Sequence, residues 1–207
     1  EQLKKRLAEL AEKSYRNNQY VFTNFLNMAE MNAFYEIRKE ISYIPFTAFG
    51  GTENCERLML RFGSEDLFGY EEPFPIVCIQ AEPLIEKFAD QFSHRDFLGA
   101  IMNLGIEREV VGDIAIKGKK AYIFCTEKIA PYIAENLVQV KHTSMRCTVL
   151  ESAPDILKPT LEKKEVTAAS ERIDAVLGKL CNLSRSQSIL AVREKKVFVN
   201  GRQCENN

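Results

Sequence analysis

The stretch from Ser170 to Gly201, SERIDAVLGKLCNLSRSQSILAVREKKVFVNG, does most to limit what this chain can fold into. Its spacing predicts two short helices, a strand and a tight turn. Ser170 is placed to cap the first helix by accepting an orphan backbone N–H. Ile173, Val176, Leu177 and Leu180 recur at helical spacing and form one apolar stripe. Ser184 and Gln187 make a capping box that opens the second helix, each side chain serving the other's backbone N–H. Ile189, Leu190 and Val192 are expected to bury that helix. Val197 and Val199 alternate as a strand, and Asn200-Gly201 is the dipeptide of a type I′ hairpin turn.

The charges outside the apolar set are uneven. Arg172, Lys179, Arg185, Arg193, Lys195, Lys196 and Arg202 stand against Glu171, Asp174, Glu194 and Glu205, seven cations to four carboxylates, in a chain whose formal net charge is -1. Arg185 and Ser186 fall in the first turn of the second helix. Free N–H groups and the positive end of the helix dipole point there, which suits a phosphate. A solvated helical hairpin is the other reading of the same charges.

The order R-I-D-x-x-L, L-S-R-S-Q, K-V-x-V-N-G resembles the S-four-type (alpha-L) RNA-binding domain. That domain occurs in a small-subunit ribosomal protein, heat-shock ribosome-rescue proteins, pseudouridine synthases and some tRNA synthetases. The resemblance implies RNA contacts by Arg172, Arg185, Ser186, Gln187, Lys196, Asn200, Gly201 and Arg202. Lys195 stands where such domains usually carry the glycine that ends the second helix. A lysine in a left-handed cap costs roughly 1 kcal/mol, so either the helix ends differently or Lys195 makes a compensating phosphate contact. The chain reaches Asn207 before the remaining strands of such a domain, and Glu1 stands where Met would begin, which together read as trimming at both ends.

Over 207 residues there is room for one large or two small domains. No apolar run approaches the ~18 residues needed to span a bilayer, and no signal peptide is visible. Cys55, Cys78, Cys125, Cys147, Cys181 and Cys204 are widely spaced and form no C-x-x-C pair. They read as free thiols of a reducing cytoplasm, without zinc or a disulfide framework.

Residues 1–45 read as a helical region. Leu3, Leu7, Leu10 and Ala11 line one face, Asn17-Asn18 breaks the helix, and Asn27 with Glu30 caps the next. Short strands follow at 41–49, 57–62 and 76–81, with Gly50-Gly51 between the first two as a bulge or a partner-facing loop. Pro83–Gln91 and Ser93–Gly105 read as amphipathic helices, the second capped by Ser93 and Asp96. Strands at 114–116 and 121–125, a helix at 129–137 and a strand at 141–149 complete the pattern. The expected fold is α+β: a helical region (1–45), an RRM-like α/β plait (46–152), a linker (153–169) and a C-terminally truncated S-four-type domain (170–207).

Catalytic motifs are weak. His94-Arg95-Asp96 imitates the H-R-D of kinases, but Ile101 stands where the magnesium-holding Asn would be, and neither a Gly-rich phosphate loop nor D-F-G is present. Cys78 and Cys125 lie in apolar strands, where a thiolate is disfavoured. Arg172-Ile173-Asp174 imitates a pseudouridine-synthase loop, yet sits inside the RNA-binding helix.

The string F-S-H-R-D-F-L-G-A-I-M-N-L-G-I-E-R-E-V-V-G-D-I (Phe92–Ile114), preceded by F-G-G-x-E-x-x-E-R (Phe49–Arg57), is similar to the YlmH family, in which a helical region, a plait-like RNA-binding domain and an S-four-type domain follow in this order. Thr52, Asn54 and Cys55 replace the family's usual Tyr, Gly and Ala. The resemblance implies a non-enzymatic, ribosome-associated protein that binds ribosomal or transfer RNA on large subunits carrying a stalled nascent chain. It implies no cofactor and no membrane partner, and carries a looser link to cell-division genes. Gly50, Gly51, His94, Arg95 and Arg108 are candidates for a second RNA contact. The alternatives are an RNA-modifying site near His94, Arg95 and Glu107, salt bridging among Arg95, Asp96, Glu107 and Arg108, or an interaction module of the division machinery. From Ala48 to Leu150 acids outnumber bases, so any RNA contact there is local or made by shape.

Overall fold

The computed structural model describes residues 1–157, 163–199 and 202–204. Helix α1 (Gln2–Asn17) ends where Asn18 takes a left-handed conformation and its N–H bonds back to Ser14. A short strand β1 (Val21–Phe22) leads to α2 (Met28–Ile37). The expected Asn27–Glu30 capping box opens α2: the Glu30 N–H donates to Asn27 Oδ1 at 2.9 Å and the Asn27 N–H to Glu30 Oε2 at 2.7 Å. Strands β2 (Phe46–Phe49) and β3 (Met59–Phe62) follow, then a single turn of helix, α3 (Glu65–Phe68). The strand order is β1-β3-β2, antiparallel throughout. β3 thus lies between β2 and β1, a strand not foreseen in the sequence. Leu7, Ala11, Met31, Phe34, Leu60 and Phe62 form the core between this sheet and its two helices.

The second sheet is built from β4 (Ile76–Pro83), β5 (Val111–Lys117), β6 (Lys120–Thr126), β7 (Gln139–Val140) and β8 (Thr143–Leu150), in the order β5-β6-β4-β8-β7. Helix α4 (His94–Asn103) joins β4 to β5, and α5 (Ala130–Asn136) follows β6. Leaving aside the two-residue β7, the chain runs β-α-β-β-α-β, and each long strand lies antiparallel to its neighbours in a split β-α-β arrangement. Both helices cover one face: Phe97, Ile101, Ala130 and Ile133 pack on Ile79, Ala81, Ile123 and Cys125. Alternation puts Cys78, Tyr122 and Phe124 on the opposite face, where Leu157 joins them from a 3-10 turn, Asp155–Leu157.

The segment 83–91 is not the expected helix. Only Glu86–Phe88 makes a 3-10 turn. The Leu84 N–H donates to the Ser144 carbonyl, Lys119 Nζ donates to the Ala89 and Asp90 carbonyls, and Asp90 accepts from the His142 N–H and the Thr143 hydroxyl. Those tertiary bonds hold the backbone extended, although Leu84, Ile85 and Phe88 have helical spacing.

The tail folds as α6 (Ile173–Leu180), α7 (Arg185–Arg193) and a hairpin of β9 (Phe198–Val199) and β10 (Arg202–Gln203). Asn200 and Gly201, the expected turn, lie outside the described residues, and so does the side chain of Arg202. The Ser184–Gln187 capping box is present. Ser170 does not cap α6: Arg172 is the N-cap residue, and its side chain makes no cap bond. The apolar stripes are shallower than expected, since Ile173, Val176 and Leu177 are half-buried while Leu180 and Leu190 are exposed. The two helices meet at Gly178, where a Cβ would lie 3.2 Å from the Leu183 carbonyl, beside the fully buried Ser188.

Candidate nucleic-acid interface

Asp174, in the first turn of α6, is buried while its cationic partners reach solvent. Arg172 Nε and Nη2 donate to its two carboxylate oxygens at 3.0 and 3.2 Å, a two-point grip. Arg185 Nε, from the start of α7, stands 3.8 Å from the same carboxylate. The bonds from Arg172 hold the Asp174 carboxyl below the usual aspartate range and raise Arg172 in return. Arg172, Asp174, Lys179 and Arg185 line one groove of about 430 Å³ between the two helices. With one carboxylate among three cations, the groove is electropositive. The Arg172 and Arg185 side chains remain 51% and 79% exposed, so donors are left for a ligand.

The other tail residues are placed differently. Gln187 accepts the Ser184 N–H at 2.9 Å, and the Ser186 and Ser184 hydroxyls lie 3.0 Å apart, so both serve the helix start. Lys196 is ion-paired with Glu194 and does not line the groove. Lys195 takes the left-handed conformation at φ 58° that its position demands. Its N–H donates to Val192 and the Lys196 N–H to Ala191, the paired bonds of a Schellman helix end. Lys179 also lines this groove, and in the sequence only its charge marks it.

In the central region Gly50, Gly51 and Arg108 have internal partners. Gly51 has a φ of +106°, and a Cβ there would lie 2.2 Å from the Phe124 ring. At Gly50 it would lie 2.3 Å from Cys55 Cβ. Arg108 donates to the Val111 and Gly112 carbonyls, and burial lowers its pKa, with Arg57 adding to the effect. The motif residues Arg57 and Asp113 complete this clasp. Asp113 accepts the Glu56 N–H at 2.7 Å and the Arg57 N–H at 3.1 Å, and the Arg57 guanidinium reaches the Phe25, Arg108 and Val111 carbonyls. A β-bulge between Val111 and Ile114 turns Asp113 toward these donors.

His94 and Arg95 are exposed at the start of α4. Arg95 lines a polar groove of about 530 Å³ with Asp96, Asn103, Gln139 and Lys141, but His94 and Glu107 do not line it. Asp96 is the α4 capping carboxylate; hydrogen bonds from Ser93 hold its pKa low, so it is committed as an ionised acceptor. Burial pushes the Cys55 and Cys147 thiols up to about 11 and those of Cys78 and Cys125 to about 12, which keeps all four protonated at neutral pH. Among the described residues no group of three His, Cys, Asp or Glu could hold a metal ion, and no helix is long and apolar enough to cross a membrane.

These features define an α+β protein with an RNA-binding domain: residues 72–153, which contain the whole five-stranded sheet, match the family model described as "Putative RNA-binding domain in YlmH". The chain is 26% identical over 161 residues to the ribosome-associated protein quality control protein P2 of Bacillus subtilis (strain 168), a match covering 76% of this chain and 61% of that protein. It therefore spans about three-fifths of that relative's length. The solved structure of the cell division protein ylmH from Streptococcus pneumoniae shares the fold with a TM-score of 0.54 at 18% identity, covering 69% of this chain and 85% of that one. Over its central domain the chain is thus similar to YlmH proteins.

Proposed function

We propose that this chain is a non-enzymatic RNA-binding adaptor of the cytoplasm that holds structured ribosomal or transfer RNA through its tail, on the large ribosomal subunit during the handling of stalled nascent chains. The observation that carries this reading is the convergence of Arg172, Lys179 and Arg185 on one groove around buried Asp174. Asp174 sets the direction of two guanidinium groups without using all their donors, which pre-organises them for phosphate oxygens. The tail then works as an S-four-type module, reading backbone phosphates and 2′-hydroxyls. The domain at 72–153 works as an RRM-like plait that docks on the same RNA. The name of the Bacillus subtilis relative supports the ribosomal setting. The same reading places the boundary of the plait near residue 70, because β2 and β3 belong to the first sheet.

Arg185 is the side chain to remove, because Arg172 still pairs Asp174 when it is gone. Arg185→Ala is expected to weaken binding to a ribosomal RNA hairpin. It should also flatten the slope of log K against log salt by about 0.7–0.9 for one lost phosphate contact. Titration of the RNA at several salt concentrations measures both, and an unchanged slope overturns the reading.

A further inference from the structure

In many split β-α-β RNA-binding domains, aromatic side chains on the open sheet face stack with bases. Here that surface is closed. Tyr122 and Phe124, on the face away from the helices, are 7% and 2% exposed, and Gly51 and Leu157 pack over them. Beyond them, Glu82 bridges Lys120 at 2.8 Å and Arg146 at 2.7 Å across the same face. A base would have to break that network to reach the sheet.

The aromatic surface of the domain lies at its edge instead. Phe88 is 77% exposed, more than any other large apolar side chain among the described residues, and Leu84 and Ile85 beside it are 60% and 61% exposed. The 3-10 turn that carries Phe88 is not loose. Lys119 Nζ, from the turn between β5 and β6, donates to Ala89 at 2.6 Å and Asp90 at 3.0 Å, and the Leu84 N–H bonds to Ser144. Lys87 Nζ stands 5.7 Å from the Phe88 ring centroid. Lys87 lies on the turn and Lys119 bonds to it, while Lys117, Lys120 and Arg146 stand at the neighbouring strand ends; with Glu82, Glu86 and Asp90 that makes five cations to three carboxylates, in a region whose overall balance is acidic.

We infer that Phe88 is a stacking post for an unpaired base of single-stranded RNA, with Lys87 taking the adjoining phosphate. This deepens the proposed function and rests on its premise that the chain binds RNA, but it uses a surface separate from the tail groove. An aromatic face with flanking cations is the chemistry that holds single strands without regard to sequence. A purely apolar protein partner would gain nothing from the cations, which favours RNA as the occupant.

The chain contains no tryptophan, so Phe88→Trp supplies a single reporter on a side chain that the fold does not bury. In the full chain, titrated with a 12-nucleotide oligouridylate, F88W is expected to keep wild-type affinity and to lose emission as a base stacks on the indole. Phe88→Ala, with an unchanged circular dichroism spectrum, should bind the oligonucleotide about tenfold more weakly, the weight of one base–aromatic stack. Unquenched F88W emission at saturation, or unchanged affinity of F88A, overturns the inference. Sedimentation that shows wild-type self-association lost in F88A also overturns it and assigns the patch to a second copy of the chain. Arg185→Ala on hairpin RNA separates the two readings: a flattened salt slope there with a silent Phe88 leaves the tail groove standing, and the reverse result leaves only the stacking post.

Discussion

Gly51, which reads in the sequence as part of a bulge or a partner-facing loop, is fixed in the fold by packing. Its φ of +106° favours glycine, and the Phe124 ring occupies the place of any side chain. Gly51→Ala should therefore destabilise the protein by about 3 kcal/mol, from left-handed strain combined with overpacking. Urea unfolding checks the size of the loss. RNA affinity of the folded variant is expected to stay at the wild-type value, and a variant of normal stability with weakened binding would return Gly51 to the RNA contacts. Asp174 makes the converse point. In the sequence it is one of four acids set against seven bases, a small subtraction from a positive patch. In the fold it is the buried pivot that turns Arg172 and Arg185 into one groove.

At the scale of elements, the end of α7 illustrates a cost retained in the fold. Lys195 adopts φ 58° where a glycine would be unstrained, and the Schellman bonds of Lys195 and Lys196 form regardless. Lys195→Gly is expected to stabilise the tail by about 1 kcal/mol in thermal unfolding, because the left-handed penalty disappears. If the lysine also contacts phosphate, the same variant weakens RNA binding while melting higher, a pair of shifts with opposite signs. Elements with local signatures were legible in the sequence: the Asn27–Glu30, Ser93–Asp96 and Ser184–Gln187 boxes each open a helix, and Lys117–Lys120 turns β5 into β6. Elements decided by distant partners were not. Segment 83–91 carries helical spacing but is held open by Ser144 and Lys119, and β1 is too short to show alternation and exists because β3 pairs with it. Ser170 has the chemistry of a cap, yet α6 starts at Ile173. For the candidate site, the cations Arg172 and Arg185 could be read from motif order, whereas their joint use of Asp174 required the helices to be packed.

At the scale of the whole molecule, the two sheets have separate cores and are joined by a polar clasp. Arg57, just before β3, donates to Phe25 next to β1, to Arg108 in the 3-10 turn and to Val111 at the start of β5. The Phe25 N–H returns a bond of 2.8 Å to Glu109, and Asp113 holds the backbone of Glu56 and Arg57 from the other side. One half-buried guanidinium thus satisfies carbonyls from three segments that share no hydrophobic repeat. Arg57, which ends F-G-G-x-E-x-x-E-R, and Asp113 of G-D-I thus act as fasteners in the fold. Arg57→Ala removes the donor of the Phe25 carbonyl and one of two donors at the Arg108 and Val111 carbonyls, and is expected to cost about 3 kcal/mol. Arg57→Lys recovers only part of it, since an ammonium lacks the planar fork that reaches diverging acceptors. The loss should be local. Amide exchange across Met59–Phe62 is expected to accelerate roughly a hundredfold while the centre of β4 and β6 keeps its protection. Equal acceleration in both sheets would mean that they unfold as one unit, and that the clasp orients them without being what couples them.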